Sequence, residues 1–178
     1  MHITYRILNK SDLEAYRRVR LECLKLHPEN FGSTYEEESA GDSLFLDKIL
    51  AKKDTREFLM GAFHHDELIG ICGLRQEGRL KTDHRGEIGQ MYVRPSHAGK
   101  GIGVKLLIAA LTKAFENPVI DQVTLGVVAV NESAVTLYKN LGFVQYGRLE
   151  NSFKGDGKGW PQLLMVLTRE RFSEIAKA

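Results

Sequence analysis

Three glycines at alternate positions form the clearest candidate binding site in the sequence. Gly99, Gly101 and Gly103 lie between an apolar segment that ends at Val93 and a segment with helical apolar spacing that runs to Phe115. Glycine allows a ligand to approach the backbone closely. The free N–H groups and the positive dipole end of a helix N-terminus favour an anion such as phosphate. The spacing therefore predicts a phosphate-binding loop at the start of a helix.

Two common nucleotide-binding motifs do not fit this loop. A Walker A motif has a glycine five residues before its Gly-Lys pair, whereas Arg94 holds that place before Gly99-Lys100. The dinucleotide fingerprint is G-x-G-x-x-G, whereas this sequence has G-x-G-x-G. A nucleotide-binding protein is therefore disfavoured, and the simpler alternative is a glycine-rich turn before a core helix.

A second motif, NESAVTLYKNLGF, occupies residues 131–143. It resembles a stretch that follows the fifth strand in the GNAT superfamily of acyl-CoA-dependent N-acyltransferases, N-x-x-A-x-x-L-Y-x-x-x-G-F. The matching residues are Asn131, Ala134, Leu137, Tyr138, Gly142 and Phe143. The glycine loop is similar to the pyrophosphate loop of that family, Q/R-x-x-G-x-G/A, with Ala98 in place of Gln or Arg. The two motifs stand in the family's order, and the resemblance covers about residues 3–168.

The resemblance implies an α/β (α+β) architecture, the GNAT fold. This is a central mixed, mostly antiparallel, twisted sheet of about seven strands with about four helices, in which the fourth and fifth strands splay apart. Apolar patterning predicts strands at 3–8, 57–64, 68–75, 88–93, 120–130, 143–150 and 162–168. A capping box of Ser11 and Glu14 is expected to open the first helix, which ends near His27 before a proline. Residues 155–159, GDGKG, are predicted to form a hairpin tip.

The resemblance also implies how acetyl-CoA binds. The pantetheine arm would lie between the splayed strands and bond to the edge of the fourth strand, and the pyrophosphate would rest on the loop N–H groups. The predicted binding residues are Met91, Tyr92, Val93, Gly99, Lys100, Gly101, Ile102, Gly103, Val104, Asn131, Ala134 and Tyr138. Lys100 either adds charge there or is an ordinary solvated lysine.

Two residues are candidates for acid–base catalysis. By resemblance Tyr138 is the general acid that protonates the leaving thiolate, and the alternative is an aromatic that only packs its helix. Glu87, at the start of the fourth strand, is the candidate general base. The alternative is that it is an ordinary carboxylate at a strand end. Other members of the family that the sequence resembles deprotonate the amine through a chain of water molecules. Some members carry a glutamate in the fifth strand, where this sequence has Gly126.

Composition sets the broad class of the protein. The 178 residues include 43% apolar and 27% charged residues, with a net charge of +2, which gives no reason to expect a nucleic acid or membrane partner. We expect one N-acetyltransferase domain over residues 1–178. Cys23 and Cys72 form no C-x-x-C pair, so a reducing, cytoplasmic setting is expected. His64-His65 is not at metal-ligand spacing with other residues, so no metal is expected.

The leading hypothesis is transfer of an acetyl group from acetyl-CoA to a primary amine of a small molecule, such as an amino acid or a polyamine. A protein N-terminus or lysine is the alternative acceptor, and a non-catalytic acyl-CoA-binding module is the alternative from another class. The segment FGSTYEEE, residues 31–38, is either a solvated helix face or an acidic rim that attracts a cationic amine. A homodimer is also possible by resemblance to the family.

Overall fold

One seven-stranded sheet carries the fold in the computed structural model, which describes residues 2–52, 56–155 and 157–175. The strands are β1 (Ile3–Ile7), β2 (Phe58–His64), β3 (Glu67–Gln76), β4 (Arg85–Val93), β5 (Gln122–Val128), β6 (Val144–Gly155) and β7 (Lys158–Thr168). The helices are α1 (Leu13–Leu26), α2 (Tyr35–Ala40), α3 (Phe45–Lys52), α4 (Ile102–Glu116), α5 (Glu132–Asn140) and α6 (Arg169–Ile175).

The sheet is mixed and mostly antiparallel, as predicted. Its strand order is β1-β2-β3-β4-β5-β7-β6, and within the described ranges only β4 and β5 pair in parallel. Helix α4 connects these two strands, as a parallel crossover requires. The expected fold class is confirmed, whereas the described part of the chain has six α-helices rather than about four. The additional ones include the short helices α2 and α6.

The first helix begins differently from the prediction. The capping box is formed by Asn9 and Asp12 rather than by Ser11 and Glu14. The backbone N–H of Asn9 donates to the Asp12 carboxylate at 2.8 Å, and Arg6 forms an ion pair with the same carboxylate at 2.7 Å. A short 3₁₀ turn, Lys10–Asp12, therefore precedes the α-helix. The predicted end of the helix is confirmed, because α1 stops at Leu26 before His27 and Pro28.

Two apolar layers cover the two faces of the sheet. On one face α4 packs through Leu107, Ala110, Leu111 and Ala114, which are all at most 1% exposed, as its helical spacing predicted. On the other face α1 and α3 pack on β2 and β3, with Tyr16, Cys23 and Leu46 fully buried. Cys23 is therefore a core residue, and burial raises the pKa of its thiol to about 11.

The last two strands form the predicted hairpin. Gly155 pairs with Lys158 across its tip, while Asp156, part of the predicted turn, lies outside the described residues. No helix within the described ranges is long and apolar enough to cross a membrane. Both cysteines, Cys23 and Cys72, are free and buried.

Candidate active site

The fourth and fifth strands separate after a short parallel contact. They pair only from Arg85 to Glu87 on β4 and from Gln122 to Thr124 on β5, although β4 continues to Val93 and β5 to Val128. The gap opens into a cleft of about 710 Å³ that we call the loop cleft. Residues 88–93 of β4 and 125–128 of β5 form its inner walls, and the glycine loop and α5 form its rim. The predicted splay is confirmed.

A β-bulge at Gln90 helps to open the gap. Ile71 of β3 pairs with Tyr92 and Gly73 pairs with Gly89, so β4 carries one extra residue. Gln90 itself has a left-handed backbone with φ 53°, which is uncommon for a residue with a side chain. Its side-chain oxygen accepts a hydrogen bond from the Tyr16 hydroxyl at 2.8 Å. A bulge bends its strand and interrupts the ladder with β3, whereas the β4 edge toward β5 is unpaired beyond Glu87 because the two strands separate.

The glycine loop enters α4 through two left-handed residues. Gly99 and Gly101 both have φ +72°, and Gly101 is the N-cap of the helix. A Cβ atom at either position would meet nothing within 4 Å, so backbone conformation rather than crowding calls for glycine. The first turn of α4 borders the loop cleft, and its N–H groups have no partner within the helix.

Gly103 has a different role from the two glycines before it. A Cβ atom there would lie 3.4 Å from the Leu137 side chain, so Gly103 allows α4 and α5 to pack closely. Lys100 turns away from the loop cleft. Its ammonium group donates to the Ser96 carbonyl at 3.1 Å, and the side chain borders a separate depression with His2 and Lys105.

The other predicted acetyl-CoA residues all line the loop cleft. They are Met91, Tyr92, Val93, Gly99, Gly101, Ile102, Gly103, Val104, Asn131, Ala134 and Tyr138. Asn131 caps α5, since its side-chain oxygen accepts the Ala134 N–H at 3.2 Å. Tyr92 also donates its hydroxyl to Glu22 at 2.9 Å, and Glu22 binds Arg94 as well. This network ties the end of β4 to α1.

Tyr138 lies buried near the C-terminal end of α5. Its ring packs against Phe143 with 5.7 Å between the ring centroids, and the residue is 7% exposed while still lining the loop cleft. Burial raises the pKa of its phenol well above the usual value, and the nearby Cys72 thiol acts in the same direction. A phenol with an ordinary pKa near 10 already holds its proton at neutral pH, as a general acid must, and burial makes Tyr138 a weaker acid still.

Glu87 lies in a second cleft, of about 660 Å³, that we call the acceptor cleft. It faces away from α4, because its neighbours Gly86 and Ile88 are the buried ones and Ile88 packs in the α4 layer. Loop residues 31–33, helices α2 and α3, and the β6–β7 hairpin form its walls. Gly126 forms part of the floor, and a Cβ atom there would lie 2.5 Å from the Gln162 side chain. Because residue 126 is a glycine, β5 supplies no carboxylate at this point of the cleft.

The two clefts meet in the gap between β4 and β5. Ile88, Gly89 and Gln90 of β4, together with Leu125 and Gly126 of β5, border both of them. A Cβ atom at Gly89 would meet nothing within 4 Å. Two ligands that enter from opposite sides of the sheet can therefore touch at this gap.

The acidic segment of residues 31–38 is largely occupied by structural contacts. Thr34 and Glu37 form a capping box for α2, and Glu38 forms two hydrogen bonds with the buried guanidinium of Arg20, at 2.9 and 2.5 Å. Burial acts to raise the pKa of Glu38, but the Arg20 hydrogen bond and charge outweigh it, and the pKa is lowered. Glu37 and Glu38 therefore stabilise the wall of the acceptor cleft. Neither a solvated helix face nor an acidic rim for a cationic amine, the two interpretations made from the sequence, describes them fully.

Sequence reasoning missed several residues of this site. Arg75 and Lys48 border the acceptor cleft, although nothing in their local sequence indicates it. Gly89 and Gln90 interrupt the apolar residues of the 88–93 segment, which is a weak signal of the bulge, but a left-handed glutamine is not predictable from such a pattern. The described residues contain no group of three or more His, Cys, Asp or Glu side chains that could hold a metal ion.

Comparison with known proteins agrees with the geometry. The family model described as the acetyltransferase (GNAT) family matches residues 20–143. The chain is 32% identical over 93 residues to N-alpha-acetyltransferase 30 of Schizosaccharomyces pombe, which covers 52% of this chain and 61% of that protein. It is 32% identical over 88 residues to spermidine N(1)-acetyltransferase of Vibrio cholerae, which covers 49% of this chain and 51% of that protein. The matched segments thus span only about half to three fifths of these relatives.

Solved structures share the fold at low sequence identity. An acetyltransferase of the GNAT family from Streptococcus pneumoniae superposes with a TM-score of 0.75 at 23% identity, over 94% of this chain and 99% of that one. The yncA structure from Salmonella typhimurium, which contains its cofactor acetyl-CoA, has a TM-score of 0.78 at 20% identity and covers 94% of both chains. Because the family model matches residues 20–143, which are most of the sequence, the chain belongs to the acetyltransferase (GNAT) family.

Proposed function

We propose that this protein is an N-acetyltransferase that moves an acetyl group from acetyl-CoA directly to a primary amine of a small molecule. The observation that carries the proposal is the meeting of two clefts at the gap between β4 and β5. Tyr138 lines one cleft and Glu87 lines the other. Direct transfer needs two substrates that approach each other from opposite sides, and this arrangement supports it. The proposal assigns residues 1–178 to one domain, since both halves of the sheet contribute to the gap.

The loop cleft fits the cosubstrate. The first-turn N–H groups behind Gly99 and Gly101 suit a diphosphate, and the open surface above both glycines leaves room for it. The edge of β4 beside the bulge offers peptide groups to an extended amide-containing arm. Acetyl-CoA supplies the reactive thioester. Lys100 is kept in the proposal only as a charge near the loop, because its ammonium group binds Ser96.

The acceptor amine must lose a proton before it can attack. At pH 7.4, an amine with a pKa near 10.4 is about three pH units below its pKa. The free-energy cost of removing its proton is therefore roughly 4 kcal/mol. Glu87 is exposed to the acceptor cleft, close to the gap, and is the proposed base. The ammonium form of the acceptor first gives one proton to the Glu87 carboxylate, which passes it to solvent. The neutral nitrogen then forms the new C–N bond to the acetyl carbon while the C–S bond breaks, and Glu87 takes the second nitrogen proton as the amide forms. Glu87 and Tyr138 return to their resting protonation states by exchange with solvent.

Tyr138 is proposed to supply the proton that the leaving sulfur takes. The burial that raises the pKa of the phenol also disfavours an unsolvated thiolate in the same cleft, so both acids become weaker together. Phenols are weaker acids than thiols in water, so this role requires the cleft to disfavour the thiolate more strongly than the phenolate. A module that only bound acyl-CoA would need neither this acid nor Glu87.

A protein N-terminus is the second candidate acceptor. It is supported by the similarity to N-alpha-acetyltransferase 30 from several organisms, whereas the spermidine acetyltransferase supports a small amine. We favour the small molecule because the acceptor cleft is walled by α2, α3 and the β6–β7 hairpin. The homodimer and the cytoplasmic setting stay predictions, and the two free cysteines support the latter.

The proposal is tested by thiol release from acetyl-CoA in the presence of amino acids, polyamines, aminoglycosides and short peptides, with the products identified by mass. Acetylation of a small amine is the expected result. Acetylation of peptides alone would transfer the assignment to a protein acceptor. Silence across the panel, together with binding of acetyl-CoA, would replace the enzyme by a binding module.

A further inference from the structure

Two cationic side chains border the acceptor cleft with no carboxylate at ion-pair distance among the described residues. They are Arg75 on β3 and Lys48 on α3. Both are exposed. A cleft built for a simple polyamine would present carboxylates alone, because like charges repel at short range. The presence of these two cations therefore carries information about the acceptor.

Arg75 is held in place on the cleft floor. Its guanidinium lies over the Phe45 ring at 4.8 Å from the centroid, a cation–π contact that limits its motion. It is the cross-strand partner of Glu87, and Glu87 in turn pairs with Thr124. Directly opposite residues share a face of the sheet with their Cβ atoms about 5 Å apart. The proposed base and the guanidinium are therefore neighbours on one surface.

The two other carboxylates of the cleft make structural hydrogen bonds, and only Glu38 is neutralised by a cation. Glu37 accepts the Thr34 N–H at 2.9 Å, and Glu38 is bound by Arg20. Lys48 lies near enough to Glu38 for its charge to help lower the pKa of that carboxyl, but it makes no hydrogen bond to it. Among the described residues that line the cleft, Glu87 and Glu37 thus carry negative charge without a cationic partner, and Arg75 and Lys48 carry positive charge without a carboxylate partner.

We propose that the acceptor carries an anionic group a few atoms from its amine, and that Arg75 and Lys48 bind this group. The substrate class is a free amino acid or a close analogue with a carboxylate, phosphonate or phosphinate. This inference rests on the proposed function, since it specifies the acceptor of the same reaction. A planar guanidinium matches the two oxygens of such an anion, and a flexible lysine adds a point charge. The amine is then directed to Glu87 and the gap.

The test compares amino acids with amines that lack only the carboxylate. Suitable pairs are L-methionine with 3-(methylthio)propylamine, L-phenylalanine with phenethylamine and L-ornithine with putrescine, alongside the remaining amino acids, spermidine and a peptide amide. For at least one amino acid, kcat/KM is expected to exceed that of its decarboxylated partner by about 100-fold. The same kinetics are measured for Arg75→Met, Arg75→Lys and Lys48→Met. Arg79→Met and Lys81→Met are controls on the exposed loop outside both clefts.

Arg75→Met is expected to raise KM for the amino acid about tenfold or more, and so to remove most of the preference in kcat/KM for the amino acid over its matched amine. Arg75→Lys is expected to restore part of this preference. Equal kcat/KM values within every pair, or an unchanged preference in Arg75→Met, would overturn the inference while leaving the acetyltransferase proposal intact. If no amine is acetylated, calorimetry of the amino acids with the CoA-saturated protein decides. Binding that depends on Arg75 supports the anion site without turnover, and no binding overturns it.

Discussion

At the scale of single residues, the proposed chemistry depends most on Tyr138. Replacing it with Phe keeps the ring that packs against Phe143 and removes only the hydroxyl. We expect kcat to fall about tenfold or more, because a positioned general acid contributes at least that much. The affinity for acetyl-CoA should change little. Steady-state kinetics and calorimetry with acetyl-CoA measure the two quantities.

The matched control for Tyr138→Phe is Tyr35→Phe. Tyr35 lies on α2, where its ring contacts Lys25, and it borders neither cleft. This variant should retain the turnover of the native protein. Unchanged turnover in Tyr138→Phe would show that the residue only packs its helix, which was the alternative open from the sequence.

Glu87→Gln tests the base. Glutamine preserves the size and the place of the side chain on β4 but cannot take a proton. We expect kcat/KM to fall and the acid limb of its pH profile to disappear or move, because that limb then no longer reports a titrating base. Glu116→Gln, at the end of α4 and outside both clefts, is the control. A profile identical to that of the native protein would indicate that water deprotonates the amine.

The sequence predicted the residues of the loop cleft far better than those of the acceptor cleft. Gly99, Gly101 and Asn131 act through local backbone geometry, which short motifs encode. Arg75 and Lys48 come together only through the packing of α3 on the sheet, and no periodicity records such a contact. Lys100 shows the converse, since a basic residue within the motif binds a carbonyl of its own loop.

At the scale of secondary-structure elements, the gap between β4 and β5 is the feature on which access to both clefts depends. Gly89 has a backbone that alanine can adopt, and its added methyl group would meet no atom within 4 Å. We expect Gly89→Ala to leave the free energy of unfolding within about 0.5 kcal/mol of the native value. The methyl group would enter the place where the substrates meet, so kcat/KM should fall about tenfold or more.

Urea unfolding and steady-state kinetics measure these two effects of Gly89→Ala. Gly73→Ala is an informative comparison on the neighbouring strand. There a Cβ atom would lie 3.3 Å from the Gly89 carbonyl oxygen and 3.3 Å from a Leu59 methyl group, so stability should fall. Full activity in Gly89→Ala would mean that the substrates do not meet beside this residue.

The ion pair between α1 and α2 makes stability depend on pH. Arg20 holds the pKa of Glu38 below its ordinary value in spite of burial, whereas the unfolded chain has a carboxyl pKa near 4.3. The pair therefore stabilises the fold fully at neutral pH, and its contribution is lost as the pH falls below about 4 and through the folded pKa. Glu38→Gln should cost about 3 kcal/mol at pH 7, because a buried guanidinium loses its counter-charge.

Urea unfolding of the native protein and of Glu38→Gln between pH 7 and pH 3 tests this expectation. The difference in unfolding free energy should shrink toward low pH. Glu36→Gln, the exposed glutamate two positions earlier, should have almost no effect at any pH. A difference between native protein and Glu38→Gln that is independent of pH would mean that the carboxylate charge is not responsible.

Element boundaries followed from the sequence where local chemistry determines them. Pro28 ends α1 and Gly142, with φ +86°, ends α5, as both residue types predict. The start of α1 was wrong because Arg6 binds Asp12 and makes Asn9 and Asp12 the capping pair. Ser11 and Glu14 satisfy the same sequence pattern, and only the contact of Arg6 on β1 with Asp12 distinguishes the two capping pairs. The burial of Arg20 is likewise not indicated by the sequence, because its partner Glu38 lies on another helix.

At the scale of the whole molecule, the sheet is nearly divided in two by the splay. Strands β1–β4 form one half and β5, β7 and β6 form the other, and only residues 85–87 and 122–124 pair across the division. Arg169 at the start of α6 reinforces the join. Its guanidinium donates to the carbonyls of Phe115 and Asn117 at 2.6 Å and to that of Ile120 at 2.5 Å. Arg169 thus connects the end of α4 to the half of the sheet that β5, β7 and β6 form.

We expect Arg169→Met to lower the free energy of unfolding by about 2–3 kcal/mol, since carbonyls at a helix end lose charge-assisted hydrogen bonds. The thioether chain keeps part of the packing on Phe115. Acetyl-CoA is proposed to contact the loop before α4 and also α5, so it bridges the two halves and binds only the joined state. A ligand that binds the folded state alone adds about 2.7 kcal/mol at a concentration of 100 Kd. Saturating acetyl-CoA should therefore recover most of the loss.

Thermal and urea unfolding of both proteins, with and without acetyl-CoA, measure the two effects. Arg171 is an exposed residue about half a turn further along α6, and the variant Arg171→Met should have the unfolding free energy of the native protein. If Arg169→Met is destabilised but acetyl-CoA stabilises it by much less than it stabilises the native protein, the join is needed to shape the loop cleft itself. In that case Arg169 would govern cosubstrate binding through the relative position of β4 and β5, and the affinity for acetyl-CoA measured by calorimetry should fall in parallel.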